Sequence, residues 1–225
     1  MIVITGASKG LGAAIAERCR NNGHSVFGLA RDTSNLSFPG INCDVGDYQS
    51  LKDAVRAIKK AGEPLTAVIN AAGIAAMNMA VTSDEQTVRR IIQTNLTGTI
   101  FACQLLAPLM MRRKAGTIIT FSTIAVPLAM KGESIYAASK AGVEAFTRTF
   151  AREVADFGIR VNCISPGPIK TDLLRGVSEA QIDAIVSHQL VPQRFTKDDV
   201  CDLVDLLLDD KARSLSGQVL HVGGV

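Results

Sequence analysis

Tryptophan is absent from this sequence, and aromatic residues make up only 4% of its 225 positions. Alanine, valine, isoleucine and leucine therefore carry most of an apolar fraction of 47%, the composition of helices packed on a buried parallel sheet. An excess of one charge is also lacking. The formal charge of +3 is too mild to suggest a nucleic-acid partner. The short basic run Met111–Lys114 reads as the solvated end of a helix, near the negative end of its dipole. No apolar run approaches the length of a membrane span. The opening "MIVITGAS" has neither a charged region nor a cleavage site, so no signal peptide is expected. The five cysteines, at 19, 43, 103, 163 and 201, include no CxxC pair, which excludes thioredoxin-type motifs and the usual zinc motifs. They are expected to be buried free thiols of a cytoplasmic protein. His24, His188 and His221 are scattered and read as structural or surface residues, and no metal site is expected.

Linkers, repeats and low-complexity segments are missing too, so one domain over 1–225 is expected. What is present is an alternation. Short apolar runs predict strands at 2–5, 25–30, 41–45, 67–70, 117–122, 160–165 and 218–222. Helical patterns occupy 11–21, 84–111, 136–156 and 198–209. Strand–helix alternation implies right-handed crossovers, hence an α/β fold with a doubly wound parallel sheet and helices on both faces. Only "RDTSNLSFPG" separates the second and third strands, too short and too polar for a full helix. Residues 171–197 form an irregular segment in which "SEAQIDAIVSH" could be a mobile helix over a site.

Two short stretches carry chemistry. "ITGASKGLGAAIA" joins the first strand to the first helix and holds Gly6, Gly10 and Gly12. Glycine permits positive φ and close backbone approach, and a helix N-terminus offers free N–H groups to a phosphate. No Lys-Ser/Thr follows, so this is not a nucleotide-triphosphate loop. "SIYAASKAG" places Tyr136 and Lys140 one helical turn apart on one face. Alone, that pair is also consistent with an ordinary helix surface.

Together with "TGASKGLG" (5–12), the stretches "NAAG" (70–73), "TNLTG" (94–98), "YAASK" (136–140) and "NCISPGPIKT" (162–171) resemble the motifs of the short-chain dehydrogenase/reductase family, in order and over nearly the whole chain. The resemblance implies a Rossmann fold, a nicotinamide cofactor across the carboxyl ends of the strands, and hydride transfer to or from a carbonyl carbon. It places the cofactor against Thr5, Gly6, Ser8, Lys9, Gly10, Leu11 and Gly12. Asp44 and Val45 would meet the adenine, Asn70, Ala71, Ala72 and Gly73 would form the next turn, and Pro166, Gly167, Ile169 and Thr171 would hold the nicotinamide side. At the end of the second strand, where an acid would select NAD, Ala30 is followed by Arg31, with Lys9 as a second cation; this implies NADP(H). Asp32 comes one residue later and should point away from the ribose.

The same resemblance makes Tyr136 the general acid/base and Lys140 both an anchor for the cofactor and the charge that lowers the phenol pKa. Asn95 would hold a water of the proton relay at a helical kink. The family's serine falls, by spacing, on Thr123; one extra residue downstream would instead bring Ser122 into place. Overall the chain looks closest to 3-oxoacyl-thioester and related carbonyl reductases. The implied substrate is a small carbonyl compound or acyl thioester, with Leu173, Leu174, Val177, Ile182, Ile185 and Val186 offering an apolar lid. No nucleic-acid or membrane partner is expected, and a homodimer or homotetramer is. The alternatives are a catalytically silent NADP-binding regulatory protein and an enoyl reductase, whose tyrosine and lysine are typically further apart.

Overall fold

The computed structural model describes residues 1–171, 174 and 177–225. Its strands are β1 (Ile2–Thr5), β2 (Val26–Ala30), β3 (Gly40–Asn42), β4 (Ala67–Asn70), β5 (Gly116–Phe121), β6 (Ile159–Ser165) and β7 (Val219–His221). They form one parallel sheet in the order β3-β2-β1-β4-β5-β6-β7. The chain builds outward from β1 to β3, then returns to add β4 on the other side of β1. That reversal opens a crevice at the carboxyl ends of the strands.

Successive strand residues point to opposite faces, and the core divides accordingly. Val3, Val68, Ile118 and Val161 pack with α2 (Tyr48–Ala61), α4 (Gly98–Met111) and α6 (Ser134–Glu153). Ile4, Ile69, Ile119 and Ile164 pack on the opposite face with α1 (Gly10–Asn21) and α8 (Lys197–Leu208). Both faces are covered, which is why these strands read as continuous apolar runs. Between α2 and α4 lies α3 (Glu85–Ile92), capped by Asp84, whose carboxylate accepts from Thr87 N at 2.7 Å. The short α5 (Ala125–Leu128) follows β5, and α7 (Glu179–Ser187) precedes α8.

Three details differ from the sequence expectations. Helix α2 is not among the predicted helices. Its apolar stripe of Leu51, Ala54, Val55 and Ile58 is buried, but polar residues surround it in the sequence. Its end signals were legible: Asp47 accepts from Gln49 N at 2.8 Å, and Gly62 stops the helix at φ 76°. Strand β3 ends at Asn42 rather than at 45, because the Asp44 carboxylate accepts from Gly46 N at 2.9 Å and turns the chain. The helix expected over 84–111 is interrupted by a π turn, Gln93–Thr97, where Gly98 N–H reaches back to Gln93 O. The connection after β2 lacks a helix, as its composition implied. Helix α7 carries a Ser178–Gln181 capping box and buries Ile182 and Val186; of the apolar lid residues, Leu173 lies outside the described residues.

No helix among the described residues is long and apolar enough to cross a membrane. All five cysteines are free and buried. Burial pushes Cys19 and Cys103 up to about 12 and Cys163 and Cys201 up to about 11, and it raises Cys43 as well. Thiolate is the reactive form, so native protein at about pH 8 should release no chromophore from Ellman's reagent on the minute timescale. All five thiols should titrate once guanidinium is added. A fast-reacting thiol in the folded protein would contradict this packing.

Candidate active site

A cavity of about 770 Å³ opens at the carboxyl ends of the strands. The segments that follow β1 to β6 contribute to it. The turn after β1 supplies Gly6, Ser8, Lys9, Gly10 and Leu11; the end of β2 supplies Ala30 and Arg31; the turn after β3 supplies Asp44 and Val45. Ala71, Ala72 and Gly73 follow β4, Ser122 and Thr123 follow β5, and Pro166, Gly167, Ile169 and Thr171 follow β6. Helix α6 projects Tyr136 and Lys140 into the same space.

Four of the expected site residues lie behind this wall. Thr5 Oγ1 accepts from Ala72 N at 3.1 Å and ties β1 to the turn after β4. Gly12 lets α1 press on its own entry turn, since a Cβ there would sit 2.3 Å from Gly6 O. Asn70 donates through Nδ2 to Cys103 Sγ at 3.3 Å. Asn95 is fully buried inside the π turn. Its Oδ1 accepts from Ile74 N at 2.9 Å, and its Nδ2 donates to Ile74 O at 2.9 Å and to Ser139 Oγ at 3.0 Å. Asn95 thus clamps the loop after β4 to helix α6.

The glycine turn has the shape of an anion cradle. Gly10 has φ 63°, and a Cβ added to it would meet nothing within 4 Å, so protein packing does not demand that glycine. Helix α1 starts at Lys9 with no side-chain cap and no acid in its first turn. A positive helix end left open toward a cavity suits a phosphate. The adjacent hydroxyl residues after β5 diverge. Ser122 donates through Oγ to buried Glu144 Oε1 at 2.6 Å. Thr123 accepts from Ala125 N through Oγ1 at 3.2 Å and lines the cavity with Tyr136, whose phenol pKa it lowers.

A family model described as enoyl-(acyl carrier protein) reductase matches residues 6–224. The chain is 31% identical over 231 residues to 3-oxoacyl-[acyl-carrier-protein] reductase FabG of Escherichia coli, covering 99% of this chain and 95% of that protein. This chain is a short-chain dehydrogenase/reductase. The FabG of Staphylococcus epidermidis is likewise 31% identical, covering 99% and 96%. Among solved structures, the aldohexose dehydrogenase of Thermoplasma acidophilum, ligand-free, superposes with a TM-score of 0.89 at 28% identity, covering 99% and 92%. A variant of the actinorhodin polyketide ketoreductase with NADPH gives 0.89 at 25% identity, covering 98% and 94%.

Members of this family use a nicotinamide cofactor, and the cavity of this short-chain dehydrogenase/reductase fits one. The glycine turn would take the phosphates, and the loop after β6 would face the nicotinamide. The electrostatics of the Tyr136–Lys140 pair depart from expectation. Burial, and after it the Glu133 charge, push the phenol up to about 12 against a lowering by Thr123. Lys140 is engaged with the strand backbone. Its Nζ donates to Phe121 O at 2.9 Å, and burial at 6% exposure pulls its own pKa down to about 8. The sequence reading missed Glu133, which lines the cavity and is buried. Its position, one turn before Tyr136, was the available signal.

The Lys140 shift has a stability consequence. Folding lowers its pKa from 10.5 to about 8, so the unfolded chain holds this proton more tightly. The cost is fully present below pH 8 and vanishes as pH rises to 10.5. Lys140→Met should therefore stabilise the protein at neutral pH. After allowing for the orphaned Phe121 carbonyl, the gain is on the order of 2 kcal/mol, or roughly 4–8 °C in Tm. Thermal melts from pH 7 upward should show this advantage shrinking between pH 8 and 10.5; a variant that melts lower than wild type at neutral pH would count against a costly buried ammonium.

Proposed function

We propose that this protein is an NADP(H)-dependent oxidoreductase that interconverts a carbonyl group and a secondary alcohol, with a 3-oxoacyl thioester or another apolar ketone as substrate. The observation that carries this reading is the meeting, in one cavity, of Tyr136, Lys140 and Thr123 with a glycine turn shaped for a phosphate. The cofactor, when bound, supplies or accepts the hydride. Tyr136 holds its proton at neutral pH and stands ready to deliver it to the oxygen of a carbonyl under reduction. Thr123 lines the cavity beside that phenol and would orient the same oxygen. Lys140, held by Phe121 O, supplies a cation and an anchor for the ribose hydroxyls. Asn95 keeps the loop after β4 and helix α6 at fixed separation.

The preference for NADP(H) rests on Arg31, exposed at the cavity beside the end of β2. A guanidinium pairs well with a 2′-phosphate, and Lys9 lines the same end of the cavity. Asp32, the nearest acid, is engaged locally: its Oδ1 accepts from Ser34 N at 2.9 Å. An apolar substrate is supported by Ile74, Met77, Met130, Leu174 and Ile185 in the lining, and a 3-oxoacyl thioester by the names of the relatives. Assembly as a homodimer or homotetramer through α4 and α6 belongs to the same reading.

Direct titration should give a lower Kd for NADPH than for NADH, which lacks the 2′-phosphate, and Arg31→Ala should narrow that gap by about tenfold. Tighter NADH binding would overturn the cofactor assignment. Thr123→Ala should cut kcat by about 100-fold with cofactor affinity kept. Ser122→Ala should keep most activity but lose about 1–3 kcal/mol of stability, because Glu144 loses a buried donor. NADPH oxidation should be screened over acetoacetyl-CoA, diketones, quinones and aldehydes. Tight binding with no turnover anywhere would favour a silent sensor.

A further inference from the structure

Glu133 occupies the N-cap position of α6, yet it does not cap. No side-chain hydrogen bond to the helix start exists there. Its backbone is fixed instead: its N–H donates to Met130 O at 3.3 Å, and its carbonyl accepts from Ala137 N at 2.7 Å. The residue is only 7% exposed and lines the cavity between Met130 and Tyr136. Among the described residues, no hydrogen bond or ion pair reaches its carboxyl. The other buried acid among the described residues, Glu144, holds both Ser122 and Arg148.

The carboxyl oxygens are not among the enclosed, unpartnered polar atoms, so they open on the cavity; a ligand that displaces their water without replacing its hydrogen bonds costs about 1–3 kcal/mol, and more when the group is charged. Helix-dipole attraction offsets a fraction of that, but a solvated acid at the helix start would gain the same without the burial. Glu133 and Tyr136 line the same cavity at the start of α6, so the carboxyl opens on the space where a reacting carbonyl must sit.

We propose that Glu133 is a specificity-determining residue whose carboxyl accepts a hydrogen bond from a donor on the substrate, a few atoms from the reacting carbonyl. That donor is a chain hydroxyl or the amide N–H of a pantetheine-type thioester arm. The inference rests on reading the cavity as a carbonyl-reducing site. A plain ketone of similar size enters the same cavity but leaves the carboxyl desolvated and unpaired, and sites built for a donor reject analogues that lack it.

The test compares kcat/KM, by NADPH oxidation, for two matched pairs. One is 3-hydroxy-2-butanone against 2-butanone. The other is acetoacetyl-N-acetylcysteamine against S-butyl thioacetoacetate, which lacks the amide. Wild type should favour the donor-bearing member by at least about tenfold in one pair, and that pair identifies the source of the donor. Glu133→Ala should erase the preference while NADPH affinity stays unchanged, and Glu133→Gln, which keeps an acceptor oxygen, should retain most of it. If the alanine variant does not fold, Glu133→Met carries the same comparison. A wild-type preference below about tenfold in both pairs, or a preference that survives the loss of the carboxyl, overturns the role of Glu133. No oxidation with any of the four compounds, despite NADPH binding, overturns the carbonyl-reductase reading itself and this inference with it.

Discussion

Three buried polar contacts fix helix α6 against strand β5, and the site depends on them. Thr120 Oγ1 and Thr147 Oγ1 lie 2.7 Å apart, Ser122 Oγ donates to Glu144 Oε1 at 2.6 Å, and Lys140 Nζ donates to Phe121 O at 2.9 Å. On the helix, positions 140, 144 and 147 share one face. On the strand side, residues 120 and 122 point the same way and 121 contributes its carbonyl. Hydrophobic contact alone is non-directional and would let a long helix slide or roll. This polar seam sets its height and rotation, and so decides where Tyr136 emerges.

The seam has a thermodynamic cost. Burial disfavours charge on both members of the Tyr136–Lys140 pair, pulling the lysine down and pushing the phenol up. The phenol consequently keeps its proton under ordinary conditions, which is the state a proton donor to a forming alkoxide needs. The ammonium is the costlier member, since it is held by a single carbonyl. Sites that keep such groups give up stability for chemistry.

How much of this was legible in the sequence follows from physical scale. Strand positions were readable because buried parallel strands are uninterrupted apolar runs, and all seven were located to within a few residues. Tyr136, Lys140, Thr123 and the glycine turn were readable as candidates because each lies in a short local motif, and the structure brings them to one cavity. Helix α2 escaped because its stripe is narrow and its remaining residues are polar. Ser122 stayed ambiguous because its partner, Glu144, is 22 residues away and looks like a surface acid on an amphipathic helix. The supporting roles of Thr5, Asn70 and Asn95 are long-range hydrogen bonds across the sheet ends, which no local pattern reveals. Glu133 was hidden because an acid at a helix start is ordinary; that it turns to the cavity and not to its own helix start is what sets it apart.

The π turn at Gln93–Thr97 also acts as a phase shifter. One residue beyond the α-helical repeat rotates everything downstream by about 100°. Helix α3 can therefore pack on α6 while α4, continuous with it, packs on α2 and the sheet. A single regular helix through this region would present one constant face and satisfy only one of those neighbours. The surplus residue lets one rod serve two partners, and it leaves Asn95 at the hinge where the two facings meet.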